Sequence, residues 1–203
     1  MLGMGVMLLA GAVVAASPVT PSPWFEFRDY PMKAFERNAE GVTEFELLVA
    51  PDGRIANCAV TRSSGHQDLD RATCHLATKR VQFNPARDSD GQAVYGVYRS
   101  QALWAIPENR IAGTAGPDLE VTVNQLPAGT AEPPVVKLAY AVDAQGRASS
   151  CTLLPSSLKQ PPVLVELGCK ELMSKVGSSP VVGPGGQPVA AIKTAAVKFN
   201  SGS

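Results

Sequence analysis

Cys58 to Val94 reads CAVTRSSGHQDLDRATCHLATKRVQFNPARDSDGQAV, and the fold class follows from it. Cys58, Val60 and Arg62 alternate as the end of a strand, which Ser63-Ser64-Gly65 interrupts. From Gln67 to Arg80 the spacing changes. Leu69, Ala72, Thr73, Leu76 and Arg80 share one side of a 3.6-residue wheel, which predicts a helix. Phe83 and Pro85 end that helix, Asp90-Gly91 supplies a turn, and Val94-Tyr95-Gly96-Val97-Tyr98 opens a run of branched and aromatic residues suited to a strand. Upstream, Val42 to Ala50 alternates, Pro51-Asp52-Gly53 turns, and Arg54 to Arg62 returns antiparallel. The unit is β, β, α, β.

The same unit is readable again further on. A shift of 93 places Asp52-Gly53-Arg54 on Gln145-Gly146-Arg147, Cys58 on Cys151 and Ser63-Ser64 on Ser156-Ser157. A shift of 95 places Cys74 on Cys169 and Gly91-Gln92-Ala93-Val94 on Gly186-Gln187-Pro188-Val189. The two extra residues fall between turn and helix, where length change is tolerated. The expected fold class is therefore α+β. Two small domains, each an antiparallel sheet of about three strands with one main helix on a face, would span residues 30–106 and 118–203, with a linker at 107–117.

Composition narrows the function. A chain of 203 residues with 45% hydrophobic and 18% charged residues is a folded protein with room for two small cores. Lys+Arg and Asp+Glu are equal at 18, so no basic excess points to nucleic acid. Met1 to Ala16 is apolar or small throughout, too short for a bilayer crossing of about 20 residues. It suits a secretory leader cut near Ala16, although no Lys or Arg precedes Arg28. An uncleaved segment would anchor the protein in the inner membrane. Residues 17–29, with PVTPSP at their start, are expected to form an extended tether. Pro31 to Ala39 then favours a short helix.

In an exported chain, four cysteines read as two bridges. The repeat selects Cys58 with Cys74 and Cys151 with Cys169. Cys58, His66, Cys74 and His75 also spell a Cys2His2 metal set, but the second copy keeps the cysteines without the histidines, which disfavours a metal. Ser64, His66 and Asp68 lie too close in one turn for a nucleophile, base and orienter, and Asp68 is better placed to charge the helix start. Gly183-Pro184-Gly185-Gly186 has no Lys-Ser/Thr after it, so it is not a phosphate loop. Glu44 and Glu46 read as the solvated side of a strand. Tyr95, Tyr98 and Trp104 either line a peptide groove or pack the core. No catalytic residue, metal site or cofactor is expected.

Tyr30-Pro31, Gly41-Val42, Asp52-Gly53-Arg54-Ile55, Ser63-Ser64-Gly65, Leu69-Asp70-Arg71-Ala72, Phe83-Asn84-Pro85-Ala86 and Gly91-Gln92-Ala93-Val94, in that order, resemble the C-terminal domain of the TonB family. The resemblance covers Tyr30 to about Pro107, and Val135 to Phe199 only through the repeat. It implies a periplasmic domain that binds an outer-membrane TonB-dependent receptor by taking a receptor segment, the TonB box, as an added strand. On this chain the implied partner-binding residues are Val94, Tyr95, Gly96, Val97, Tyr98 and Arg99 of the last strand, with Tyr30. Family members often carry Gln just before the Tyr-Pro pair, where this chain has Phe27, Arg28 and Asp29. Transducers of the family also need a His-bearing anchor and a long Pro-rich reach, neither of which is readable in Met1 to Pro23. Two other readings stand beside this one: a scaffold whose two domains pair edge to edge, and an envelope hydrolase.

Overall fold

Ala50 N–H is tied to Arg54 O, and Gly53 sits at φ +82° with its N–H on Ala50 O, so Pro51-Asp52-Gly53 closes the first hairpin as its residues predict. The computed structural model describes residues 12–20, 22–106, 116–155, 157, 159–175 and 179–202. In chain order the first half contains β1 (Ser17–Pro18), α1 (Met32–Glu36), β2 (Gly41–Val49), β3 (Ile55–Arg62), α2 (Gln67–Arg80), β4 (Phe83–Asn84), β5 (Ala86–Arg87) and β6 (Ala93–Trp104). The second half contains β7 (Leu119–Val123), β8 (Val135–Val142), β9 (Ala148–Leu153), α3 (Pro162–Lys175), β10 (Val181–Val182), β11 (Pro188–Val189) and β12 (Ala191–Ser201). The fold is α+β, and α3 lies at the 95-residue shift from α2 at both ends. Residues 107–115 of the expected linker lie outside the described residues.

The halves are not separate sheets. One sheet runs β3-β2-β6-β12-β8-β9, with β7 added on β12 and β5 on β6. Within each half the three main strands pair antiparallel, whereas β6 and β12 meet in parallel. Two three-stranded units facing each other through parallel strands must present opposite faces, and the cores show this. Phe45, Leu47 and Val49 of β2 pack with Leu69 and Ala77 of α2. Their neighbour Leu48 points the other way, into the cluster of Leu138, Val197 and Phe199 that holds Leu164 and Leu172 of α3. The period-2 alternation of side chains along each strand produces the separation.

Both sulfur pairs are joined. Cys58–Cys74 ties β3 to α2 with Cα atoms 5.6 Å apart, and Cys151–Cys169 ties β9 to α3 with Cα atoms 5.8 Å apart. Each bridge closes a short loop in its own half and restricts the unfolded chain there. Neither Cys58 nor Cys74 is left as a thiolate for a metal.

The expected tether is corrected. Residues 13–20 and 22–24 form a strap packed on the first half: β1 pairs antiparallel with β4, and Val14 bridges to Arg87. Thr20 Oγ1 accepts from Gln82 N–H, and Arg80 donates to Trp24 O at 3.0 Å and to both Asp29 oxygens, the longer contact at 2.6 Å. Trp24, 8% exposed, lies against Phe83 and Tyr98. A polyproline-rich segment stays extended, as its composition requires, but its aromatic and small apolar residues are drawn onto the core. Val13 and Ala16 are buried as well, so a cut near Ala16 would remove core residues.

Candidate strand-docking site

β6 is the strand on which the expected binding residues lie. Along one side it pairs with β2 from Gly96, opposite Val49, to Trp104, opposite Gly41. Its other side is occupied at Tyr95 and Gly96, which pair with Ala191 and Ile192 of β12. Val94 is engaged with Ala86 of β5. The expectation that the edge is open from Val94 is therefore corrected for Val94, Tyr95 and Gly96. From Val97 to Trp104, no strand among the described residues pairs with this outer side.

The two last strands separate after their short contact, and a polar plug sits where they part. Arg99 donates through Nε to Glu46 at 3.0 Å and through Nη1 to Asp118 at 2.6 Å. Asp118 uses its other carboxylate oxygen to accept Ala196 N–H at 2.8 Å, and its own N–H bonds Ala196 O at 2.9 Å. In this way Asp118 pairs β12 at the residue just before β7 takes over at Val197. Beside the plug lies a cleft of about 760 Å³, bordered by Arg99, Ser100 and Gln101 of β6 on one side and by Pro117, Asp118 and Ala196 on the other. An added strand would have to lie about 4.8 Å from β6. Glu44, Phe45, Thr61 and Arg62 of β2 and β3 also border the cleft. Strand addition draws mainly on main-chain groups and makes few demands on particular side chains.

The remaining residues singled out from sequence fall as follows. Tyr98 points to the α2 side, where burial pushes its phenol up, and Tyr95 belongs to the α3 side. Trp104 is 2% exposed and donates its indole N–H to Thr73 Oγ1 at 2.9 Å. These aromatics pack two cores; they do not line one groove. Tyr30 donates its hydroxyl to Ala39 O and stacks edge-on against Trp104 at 5.4 Å, which fixes the start of β2. It lies at the Trp104 end of β6, next to the exposed rings of Phe27 and Phe35. Burial, with Glu40 and Asp68 nearby, raises the Tyr30 phenol.

Ser64, His66 and Asp68 do not assemble into a reactive line. Asp68 is held by Arg37 at 2.7 Å, and Ser64 Oγ donates to Asp70 at 2.8 Å. Asp70 orders the turn before α2. It accepts from Thr43 Oγ1, Ser63 Oγ, Ser64 N–H and Ser64 Oγ. Burial works to raise its pKa, but these hydrogen bonds outweigh it and hold the carboxyl below the ordinary range. Asp68, expected to charge the helix start, lies in the same first turn and is paired with Arg37, whereas Asp70 reaches back to the turn, which depends on how that turn folds. Glu44 and Glu46 share a solvated face, as expected, and bind Arg62 and Arg99 there. Gly183 to Gly186 forms the turn between β10 and β11, with Gly186 at φ +79°.

Asp118 and the strap residues Val13, Ala16 and Trp24 were missed. The signal for Asp118 was its place directly before the alternating Leu119 to Val123. Among the described residues, no helix is long and apolar enough to cross a membrane.

Comparison with known proteins returns no curated relative. Among solved structures, the chain is similar to the C-terminal domain of TonB from Pseudomonas aeruginosa, determined by solution NMR. That match is 26% identical, covers 47% of this chain and 90% of that one, and has a TM-score of 0.37. Residues 28–102, which end inside β6, match the family described as Gram-negative bacterial TonB protein C-terminal.

Proposed function

We propose that this is a periplasmic, non-enzymatic binding protein that takes an extended segment of an outer-membrane TonB-dependent receptor as an added strand on the outer side of β6. The carrying observation is the outer side of β6 from Val97 to Trp104, which no described strand pairs and which borders the cleft beside Arg99 and Asp118. The family match over residues 28–102 supports a protein partner. Two intact disulfides fit an oxidising compartment such as the periplasm. The two halves are, on this reading, copies of one unit: element order, sulfur pairs and the 95-residue shift agree. The second copy has given the outer side of its last strand to β6 and β7, so binding falls to the first.

Titration of the labelled protein with TonB-box peptides, followed by amide shifts, tests this. Shifts are expected along 97–104 and not along β12. Unchanged spectra at millimolar peptide would remove the binding reading.

A second reading is favoured by the parallel contact of Tyr95 and Gly96 with Ala191 and Ile192. The halves then satisfy each other's edges and the protein serves as an envelope scaffold. Failure of every peptide, together with a sheet that resists exchange at β6, would select it.

A further inference from the structure

The strap contains information about how the protein is matured. Two small-residue sites of the type that leader peptidases cut are present near its start: Ala10-Gly11-Ala12, and Val14-Ala15-Ala16. From sequence the second is the one expected, since it adjoins the polar, Pro-rich segment. The folded chain separates them. Val13 and Ala16 are 5% and 7% exposed and belong to the same core as α2. Between them, Val14 N–H bonds Arg87 O at 2.8 Å, and Arg87 N–H bonds Val14 O at 2.9 Å. Ala12, in contrast, is exposed.

Gly96 gives an independent indication. A glycine inside a strand is costly unless something must approach closely. At Gly96 a Cβ would lie 2.7 Å from the Ala16 methyl and 2.9 Å from that of Ala86. The space left by the absent side chain is shared by the Ala16 and Ala86 methyls, with Ala16 the nearer. A chain that lost Ala16 would lose the nearer of the two methyls packed on Gly96 and strip the Val14 bonds from Arg87, whereas a chain starting at Val13 keeps both.

We propose that the leader peptidase of the export pathway cuts between Ala12 and Val13, so that Val13 is the first residue of the mature protein. Water adds across that peptide bond, leaving the carboxylate on Ala12 and the ammonium on Val13. The proposal rests on the reading that the protein is exported.

The test is intact mass and N-terminal sequencing of the C-terminally tagged protein, expressed from its own locus and recovered from the periplasm by osmotic shock. An N-terminus at Val13 is expected. An N-terminus at Ser17, or an uncut chain in the periplasmic fraction, overturns the site and leaves export standing. Absence from the periplasm overturns export itself. Ala12→Leu, at an exposed position outside the core, should leave the leader attached; continued release at Ser17 would overturn the proposal. Purified chains starting at Val13 and at Ser17 supply a second readout. The shorter one should lose about 5–10 °C in Tm, from burial of two apolar side chains in a protein of this size. Equal Tm values would overturn the structural basis of the site.

Discussion

The two halves solve one packing problem in different ways at the point where the helix meets the last strand. In the first half Thr73 of α2 faces Trp104 of β6: the hydroxyl donates to Leu69 O at 3.0 Å and accepts the indole N–H. At the shifted positions of the second half stand Gly168 and Phe199, where the helix has no side chain and the ring comes close to it. A ring with a polar edge requires a partner, and a ring without one requires only room. The wider difference has the same origin. The first half is rich in aromatics, draws the strap over them and, among the described residues, has no strand paired on the outer side of its last strand after Gly96. The second half pairs its last strand on both sides, with β8 on one and with β6 and β7 on the other. The halves thus differ in whether a described strand covers the outer side of the last long strand.

Acid should separate the halves most strongly. Asp29, held by Arg80, Asp68, held by Arg37, and Asp70, in its hydroxyl and amide cage, all titrate below the ordinary carboxylate range; all three lie in the first half. Asp143, held by Arg147, is the counterpart in the second. A carboxylate with a lowered folded pKa contributes stability that is present above its unfolded value, about 3.9, and lost as pH falls through the folded one. Below about pH 4 the first half should therefore open before the second. Both tryptophans lie in the first half, so their fluorescence should change at higher pH than far-ultraviolet dichroism; coincident transitions would show the halves to be one cooperative unit.

Removal of the sulfur bridges tests where the halves are alike. The Cys58→Ser/Cys74→Ser and Cys151→Ser/Cys169→Ser pairs remove bridges whose cysteines are 16 and 18 residues apart. Each should cost about 3 kcal/mol in urea denaturation, because loop entropy depends only weakly on length. A bridge in the second half worth much less than its counterpart would show that the two sulfur pairs are not equivalent.

Thr73→Val keeps shape and removes the acceptor for the Trp104 indole. It should cost about 1–3 kcal/mol by denaturation, since a buried donor is left unpaired. An unchanged midpoint would mean that the indole N–H has another partner. The smallest effect is expected at Gly168→Ala. A methyl there meets Leu138 Cδ1 at 3.3 Å and Phe199 Cζ at 3.5 Å, a mild crowding that opposes a helix-propensity gain of about 1 kcal/mol. The net change should stay within about 1 kcal/mol, and a larger loss would show the second core to be as tightly specified as the first.

The sequence alone determined the local elements and their sulfur clamps. Leu69, Ala72, Thr73 and Leu76 carry the helical period, Asp52-Gly53 and Asp90-Gly91 carry turns, and the doubled Cys58/Cys74 spacing gives the pairing, because each depends on residues near one another in the chain. Only the tertiary structure decided that the halves share one sheet with helices on opposite faces, that described strands pair with Val94 to Gly96 beyond β2, and that the strap lies in the core. Strand order across a sheet is set by main-chain groups that every residue carries, so side-chain identity holds little record of it. The place of Ala16 against Gly96 was likewise unreadable, since a small residue beside a glycine acquires meaning only when the backbone brings the two together.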